Sequence, residues 1–296
     1  MKFVGVDVGG SSIKTSVIEI IDDTAKPSKI ERIPTPNSSA GKIFDAICDQ
    51  IQEYRQLHPE INGVGIATAG LVDTKSGSVN YAGNLPADWS GVSITKEIES
   101  RTGLSCHLEN DANSFALAEA LYGAGKKKRI TLGMALGTAV GAALVVEGEV
   151  YSGGNGFAGE VGHMIVEPNG IYCVCGQTGC LETRVCQSAI LKESGAKNFA
   201  EVVASLNKVN SSAREALDNY EDWLTIGIIN ALVLYAPEIV VLGGGLVLAY
   251  PKLVDEVAEK VKARSHVFPQ DQIQIKPSKL MAAATLTGAV LPLLNS

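Results

Sequence analysis

The sequence predicts an α/β protein of two related domains that face each other across a cleft. Three observations carry that expectation. A strand, glycine turn, strand unit opens the chain around Gly9 and Gly10, and a second such unit stands around Gly137. Between and beyond them, short apolar runs alternate with segments of helical period. The length, 296 residues, is enough for two cores of ordinary size.

Taken in order, Phe3–Val8 and Thr15–Ile21 are Val- and Ile-rich runs joined by Gly9-Gly10-Ser11-Ser12, the pattern of a β-hairpin. After a Pro- and Ser-containing loop over 34–39 comes a helix over 42–57, with Ile43, Ile47, Ile51 and Tyr54 on one face. Residues 63–67 read as a buried strand, 93–102 as a short helix and 104–108 as a further strand. The next helix starts at Asn110-Asp111, runs to Tyr122 and stops at Gly123. The first α/β domain is expected over 1–113 and the second over 114–280. The second opens with two strands over 130–146 around Gly137-Thr138-Ala139-Val140-Gly141. It continues with a long helix over 211–234, a strand over 239–242 that ends in Gly243-Gly244-Gly245, and a helix over 251–263. A terminal helix over about 281–296 is expected to pack back on the first domain.

Apolar residues make up 46% and charged residues 19%, a globular composition rather than a disordered one. With 25 Lys and Arg against 32 Asp and Glu, the net charge is −7, which leaves no global basic field for nucleic acid. The basic run Lys126–Arg129 reads as a solvated turn before a strand. Asp7 interrupts the apolar start too early for a signal peptide. The uncharged run 130–146 falls short of the about 20 residues a membrane-spanning helix needs. No membrane partner and a cytoplasmic location are therefore expected. In a reducing compartment, clustered cysteines point to metal before disulfides.

Three glycine turns offer bare backbone N–H groups, the material of a phosphate cradle. Asp7-Val8-Gly9-Gly10-Ser11-Ser12 adds a carboxylate placed for a divalent cation or its water. Gly137-Thr138 and Gly243-Gly244-Gly245 are the other two. None fits the P-loop or the dinucleotide fingerprint. Any one of them has a structural explanation; three together favour a nucleotide. Glu109-Asn110-Asp111-Ala112-Asn113 stands between a strand and a helix, where Asn or Asp caps the helix and Asp111 is also placed to act as a general base. The two roles are compatible. His163, Cys173, Cys175 and Cys180 make a Cys3His set, the ligand set of structural zinc, with no position left open. Cys186 lies outside it. Cys48 and Cys106 read as core thiols, and His58, His107 and His266 as incidental.

These residues resemble the ROK family of bacterial sugar kinases and repressors, over essentially the whole chain. Asp7-Val8-Gly9-Gly10-Ser11 is similar to the family's first phosphate motif, Asn84-Leu85-Pro86 with Trp89 to a sugar-domain segment, and Glu109–Asn113 to its catalytic stretch. Gly156–Met164 and Cys173–Glu182 together resemble the family signature. The resemblance implies two actin-like (ribonuclease-H-like) α/β domains hinged over a cleft, with a zinc knuckle. It also implies transfer of phosphate from ATP, with Mg2+, to the 6-hydroxyl of a hexose. On that reading Asp111 is the general base and Asp7 helps place Mg2+. Gly70, Asn84, Asn110, Glu160, His163 and Glu182 ring the sugar, with His163 serving both zinc and sugar. A glucokinase-type enzyme is expected, partly from the short connection between His163 and Cys173, and a homodimer with it. The nearest rival is an N-acetylhexosamine kinase. A sugar-sensing regulator would carry a helix-turn-helix ahead of the first motif, which starts here at residue 3. Two departures stand out: Ala139 where the second phosphate motif is usually richer in glycine, and Ser11-Ser12 where Thr-Lys is common.

Overall fold

The amino-terminal apolar run forms β1 (Lys2–Val8), which folds back through Gly9–Ser11 onto β2 (Ser12–Ile21). The two are antiparallel, and their register sets Asp7 opposite Lys14. The computed structural model describes residues 1–206, 211–266 and 268–295. Two short strands, β3 (Thr24–Pro27) and β4 (Glu31–Pro34), pair with β2 and lie outside what the sequence pattern shows. They are too short and too polar for alternation to register. Helix α1 (Ala40–Leu57) is capped by Ser39 and buries Ile43, Phe44, Ile47 and Ile51. Each such side chain is worth about 1.5–3 kcal/mol when taken out of water. It is followed by β5 (Ile61–Thr68), a small hairpin of β6 (Leu71–Asp73) and β7 (Ser78–Tyr81), α2 (Ile94–Thr102), β8 (Ser105–Asn110) and α3 (Asp111–Leu121).

β1, β5 and β8 run parallel, and their register aligns Val8 with Thr68 and Thr68 with Asn110. The carboxyl ends of three strands therefore finish level, the edge at which α/β sheets place ligands.

The second sheet repeats the plan. β9 (Ile130–Leu136) and β10 (Val140–Val146) form an antiparallel hairpin, extended by β11 (Glu149–Val150). After α4 (Gln187–Ser194), α5 (Phe199–Ser205) and the long α6 (Ser212–Tyr235), β12 (Ile239–Gly243) joins β9 in parallel. Then come α7 (Gly245–Ala249), α8 (Lys252–Arg264), β13 (Ile275–Pro277) and α9 (Ala284–Val290). Hairpin plus parallel third strand is thus common to both halves, a likeness deeper than the two turns read from sequence. Leu132, Met134, Leu224, Ile228, Val240 and Leu242 lie at the heart of the second core.

The chain forms two units, one of residues 1–123, 152–157 and the stretch from Ala282, the other of Ala124–Tyr151 and Ala158–Met281. The first extends ten residues past the expected end at 113, because α3 packs on α9 within it. Gly288 makes that possible: a Cβ there would run into the Ser114 backbone. The terminal segment is not one helix over 281–296. It is α9 between two short 3-10 turns, Met281–Ala283 and Leu291–Asn295, and Ser296 lies outside the described residues. Among the described residues no helix is long and apolar enough to cross a membrane.

Candidate active site and metal centre

In the first unit, the turn after β1 is closed by Gly9 N–H donating to Ser12 O at 3.1 Å, and Thr35 Oγ1 donates to Gly9 O at 2.6 Å. Gly10 passes against the Asn84 backbone, where a Cβ would not fit. This close approach brings Asn84 beside Gly9, Gly10, Ser11 and Ser12. Asp7 is largely buried, and Lys14 Nζ stands 2.7 Å from its Oδ2. Lys14 was not singled out from the sequence; only the antiparallel register makes it the partner of Asp7.

At the level end of β8, Asn110 spends its side chain twice. Its Oδ1 accepts from the N–H groups of Ala112 and Asn113 at 2.8 and 3.1 Å, and its Nδ2 donates to Gly70 O at 3.1 Å. Gly70 has φ +109°, a region that favours glycine. Asn110 is therefore the cap of α3 and at the same time the clamp on Gly70. Asp111 opens α3, with Oδ1 accepting from Ala112 N–H at 2.9 Å. Its carboxylate sits at the positive end of the helix dipole. Glu109, also passed over, supports both: buried, its Oε1 accepts from Asn110 N–H and Asn113 Nδ2 at 2.9 Å each. Burial raises the Glu109 pKa and lowers that of His107, whose Nε2 lies 4.0 Å from Glu109 Oε2.

In the second unit, Gly137 N–H donates to Ala139 O at 3.1 Å, leaving Thr138 and Ala139 exposed at the tip of the turn. Ala139 is not among the residues with positive φ, so the glycine it replaces is not needed for this path. Gly243 pairs with Ala135 in the sheet, and Gly244, at φ +93°, backs onto Leu136. The second and third glycine turns are thereby neighbours at one sheet edge.

The metal loop follows Val161–His163, a single 3-10 turn. Ligand atoms of His163, Cys173, Cys175 and Cys180 all lie within 4.8 Å of one another. Cys175 and Cys180 sulfurs are 3.5 Å apart, and Cys173 Sγ is 3.6 Å from His163 Nδ1. A tetrahedral zinc with about 2.3 Å bonds to sulfur holds thiolates about 3.8 Å apart, so the four groups fit such an ion. Burial pushes the Cys180 thiol up to about 12, and a cation among the sulfurs is what would stabilise its thiolate. His163 presents Nδ1 to the sulfurs and Nε2 to Glu160, 3.9 Å away. Partial burial raises the Glu160 pKa, with a smaller contribution from the Glu182 carboxylate. Arg184 braces the loop through both oxygens of Glu167, at 2.8 and 2.9 Å, and stacks on Trp223.

The model of the ROK family matches residues 3–294. The chain belongs to the ROK family. It is 31% identical to a glucokinase of Thermotoga maritima, over 98% of this chain and 96% of that one. It is 29% identical to an N-acetyl-D-glucosamine kinase of Shigella boydii, over 97% of both. Among solved structures it resembles a ROK family glucokinase from Streptomyces griseus in complex with glucose and AMPPNP, with TM-score 0.85, 26% identity and 98% of each chain covered. The fold is that of the ROK kinases, two α/β units with a Cys3His loop in the second.

Within each unit, the ROK fold gathers the residues singled out from sequence. Asp7, the first glycine turn, Gly70, Asn84, Asn110 and Asp111 share one end of the first sheet. Gly137, Thr138 and Gly243–Gly245 share an edge of the second sheet. Glu182, placed by sequence among sugar ligands, has Oε2 accepting from Val140 N–H at 3.0 Å, next to the turn. Glu109, Lys14, Glu167 and Arg184 carry no signal in the sequence, because their partners are backbone groups, side chains met through strand register, or residues 17 positions away.

Proposed function

We infer that this ROK chain is an ATP-dependent sugar kinase, and we propose that it transfers the γ-phosphate to the 6-hydroxyl of a hexose, glucose before others, with Asp111 as general base. The observation that carries this reading is the placement of Asp111. It is held by Ala112 N–H at the head of α3, beside Asn110, at the strand edge that also carries the Asp7–Gly10 turn. A carboxylate so fixed can take the proton of the attacking hydroxyl as the O6–Pγ bond forms and the bond from Pγ to the β–γ bridging oxygen breaks, releasing ADP.

Phosphoryl transfer asks the protein mainly for position and for donors aimed at the transferred group. On this reading the turns at 9–12, 137–138 and 243–245 would supply backbone donors beyond the Gly9 and Gly137 N–H groups that close them, and Asp7, paired with Lys14, would place Mg2+ or its water. When bound, Mg2+ neutralises charge that develops on the phosphates. Gly70, Asn84, Asn110, Glu160, His163 and Glu182 are the sugar-binding residues of this reading. The Cys3His loop would hold zinc, which would fix the His163 tautomer and leave Nε2 for a hydroxyl.

Asp111→Asn tests the base. Turnover should fall by about 100-fold or more while hexose affinity stays within a few-fold, because the loss acts on the transition state. Retention of a tenth of wild-type kcat sinks the assignment. Coupled-assay kcat/KM values for glucose, mannose, N-acetylglucosamine and N-acetylmannosamine settle the sugar. A preference for either acetamido sugar would replace glucose in this reading.

A further inference from the structure

The metal loop and the second glycine turn meet at one residue, Val140. From the Cys180 side, Glu182 follows the ligand by two residues and takes the Val140 N–H at 3.0 Å. From the His163 side, Gly162 precedes the ligand and lies so close to the Val140 carbonyl that no Cβ fits between them. A third tie runs from Gln187 N–H to Gly137 O at 2.8 Å, on the other flank of the same turn. Leu181, between the ligand and Glu182, is fully buried in the second core and donates its N–H to Met164 O at 2.9 Å. The two ends of the loop are also joined by the bridge between Ile165 and Cys180.

The turn itself has little of its own to hold it. Gly137 N–H to Ala139 O is its internal bond, its tip is exposed, and below the apolar pair Leu136–Val140 at its base come only Ala135 and Gly141, with no side-chain charge. A hydrogen bond between a carboxylate and a backbone N–H is among the stronger kinds, roughly twice a neutral one. Glu182 is thus the principal polar support of this turn. The three 3-10 residues Leu181–Thr183 that aim it start directly after Cys180.

We propose that Glu182 is a positioning residue for the second phosphate turn, and that the metal site, by fixing Cys180 and His163, holds Glu182 and Gly162 against Val140 and so sets affinity for nucleotide phosphates. This rests on the reading of Gly137-Thr138 as a phosphate turn. It adds a phosphate-side role to a loop otherwise assigned to the sugar.

The test measures AMPPNP with Mg2+ in the absence of any sugar, together with amide hydrogen exchange in the turn. Metal-free protein, prepared with a chelator and checked by metal analysis, should bind AMPPNP about tenfold more weakly and exchange the Val140 amide faster. Glu182→Ala in the metal-loaded protein should weaken AMPPNP similarly and speed exchange of the Gly137 amide. Glu182→Gln, which keeps an acceptor oxygen, should recover most of both. Metal removal from Glu182→Ala should then add less than twofold, since the principal polar link is already cut and only the Gly162 contact is left to loosen. Unchanged exchange at Gly137 in Glu182→Ala, or additive losses, overturns the proposal. Faster exchange with unaltered AMPPNP affinity would uphold the mechanical link and overturn the phosphate role. Failure of the wild type to bind AMPPNP would instead strike the kinase reading.

Discussion

The turn between β1 and β2 has a charged pair at its base, Asp7 with Lys14 at 2.7 Å, whereas the matching positions below the turn between β9 and β10 are Ala135 and Gly141. Both turns join antiparallel strands, and in both sheets a third strand runs parallel to the first of the pair. The first turn is crowded, with Thr35 on the Gly9 carbonyl and the Asn84 backbone against Gly10. Beside Gly137 a Cβ would meet nothing within 4 Å. One turn brings its own charges and is walled in by its neighbours. The other is open and is secured from outside, through Glu182, Gly162 and Gln187. The two hairpins share a backbone plan, and what surrounds each turn decides how firmly and from which side it is held.

Gly10→Ala should break the comparison most severely. Its methyl has no room beside Asn84, so we expect a loss of about 1–3 kcal/mol in stability, as for an overpacked core, together with loss of most activity. Thermal melts and turnover measure both.

The units should also differ in their response to alkali. Glu221, on α6, has a fully buried side chain 3.1 Å from Lys260 Nζ, and desolvation pushes its pKa up to about 7. A raised folded pKa means the proton-bound form favours the fold. The stability it contributes is complete below the unfolded value near 4.5 and is lost as pH rises through about 7. At about 1.4 kcal/mol per unit, the total is on the order of 3 kcal/mol. Glu221→Gln should flatten the decline in unfolding free energy of the second unit between pH 5 and pH 8. An unchanged slope would place the effect elsewhere.

Asp7→Ala should raise the magnesium requirement of turnover about tenfold with hexose affinity intact, since it removes the carboxylate of the charged pair at this turn. Should Asp7 only brace the hairpin, thermal stability would fall and the magnesium curve would stay in place. The smallest effect is expected at Gly137→Ala, within about 0.5 kcal/mol, because the position has neither positive φ nor a neighbour to strike. A large loss there would show that the second turn needs close backbone approach after all.

Much of this site was legible because it is local. The hairpin at Gly9–Ser12, the cap and carboxylate at Asn110-Asp111 and the Cys3His set each occupy a short stretch, where spacing and residue type are read together. Hydrophobic period located α1, α6 and α8, whose buried faces run for three turns or more. The short β3 and β4 were not visible, since four residues of mixed polarity carry no period. The first unit runs on to Gly123 because α3 finds its partner α9 at the far end of the chain, a pairing that no local pattern announces.

What the sequence determined by itself is the set of parts: the α/β class, the glycine turns, the Cys3His set and the family. Only tertiary structure decided how those parts act on one another. Lys14 meets Asp7 through strand register, Glu109 fixes the head of α3 through a backbone N–H, and Glu182 reaches Val140 across 42 residues of chain. Hydrogen bonds to backbone groups leave no trace in residue type, because every residue except proline offers the same N–H.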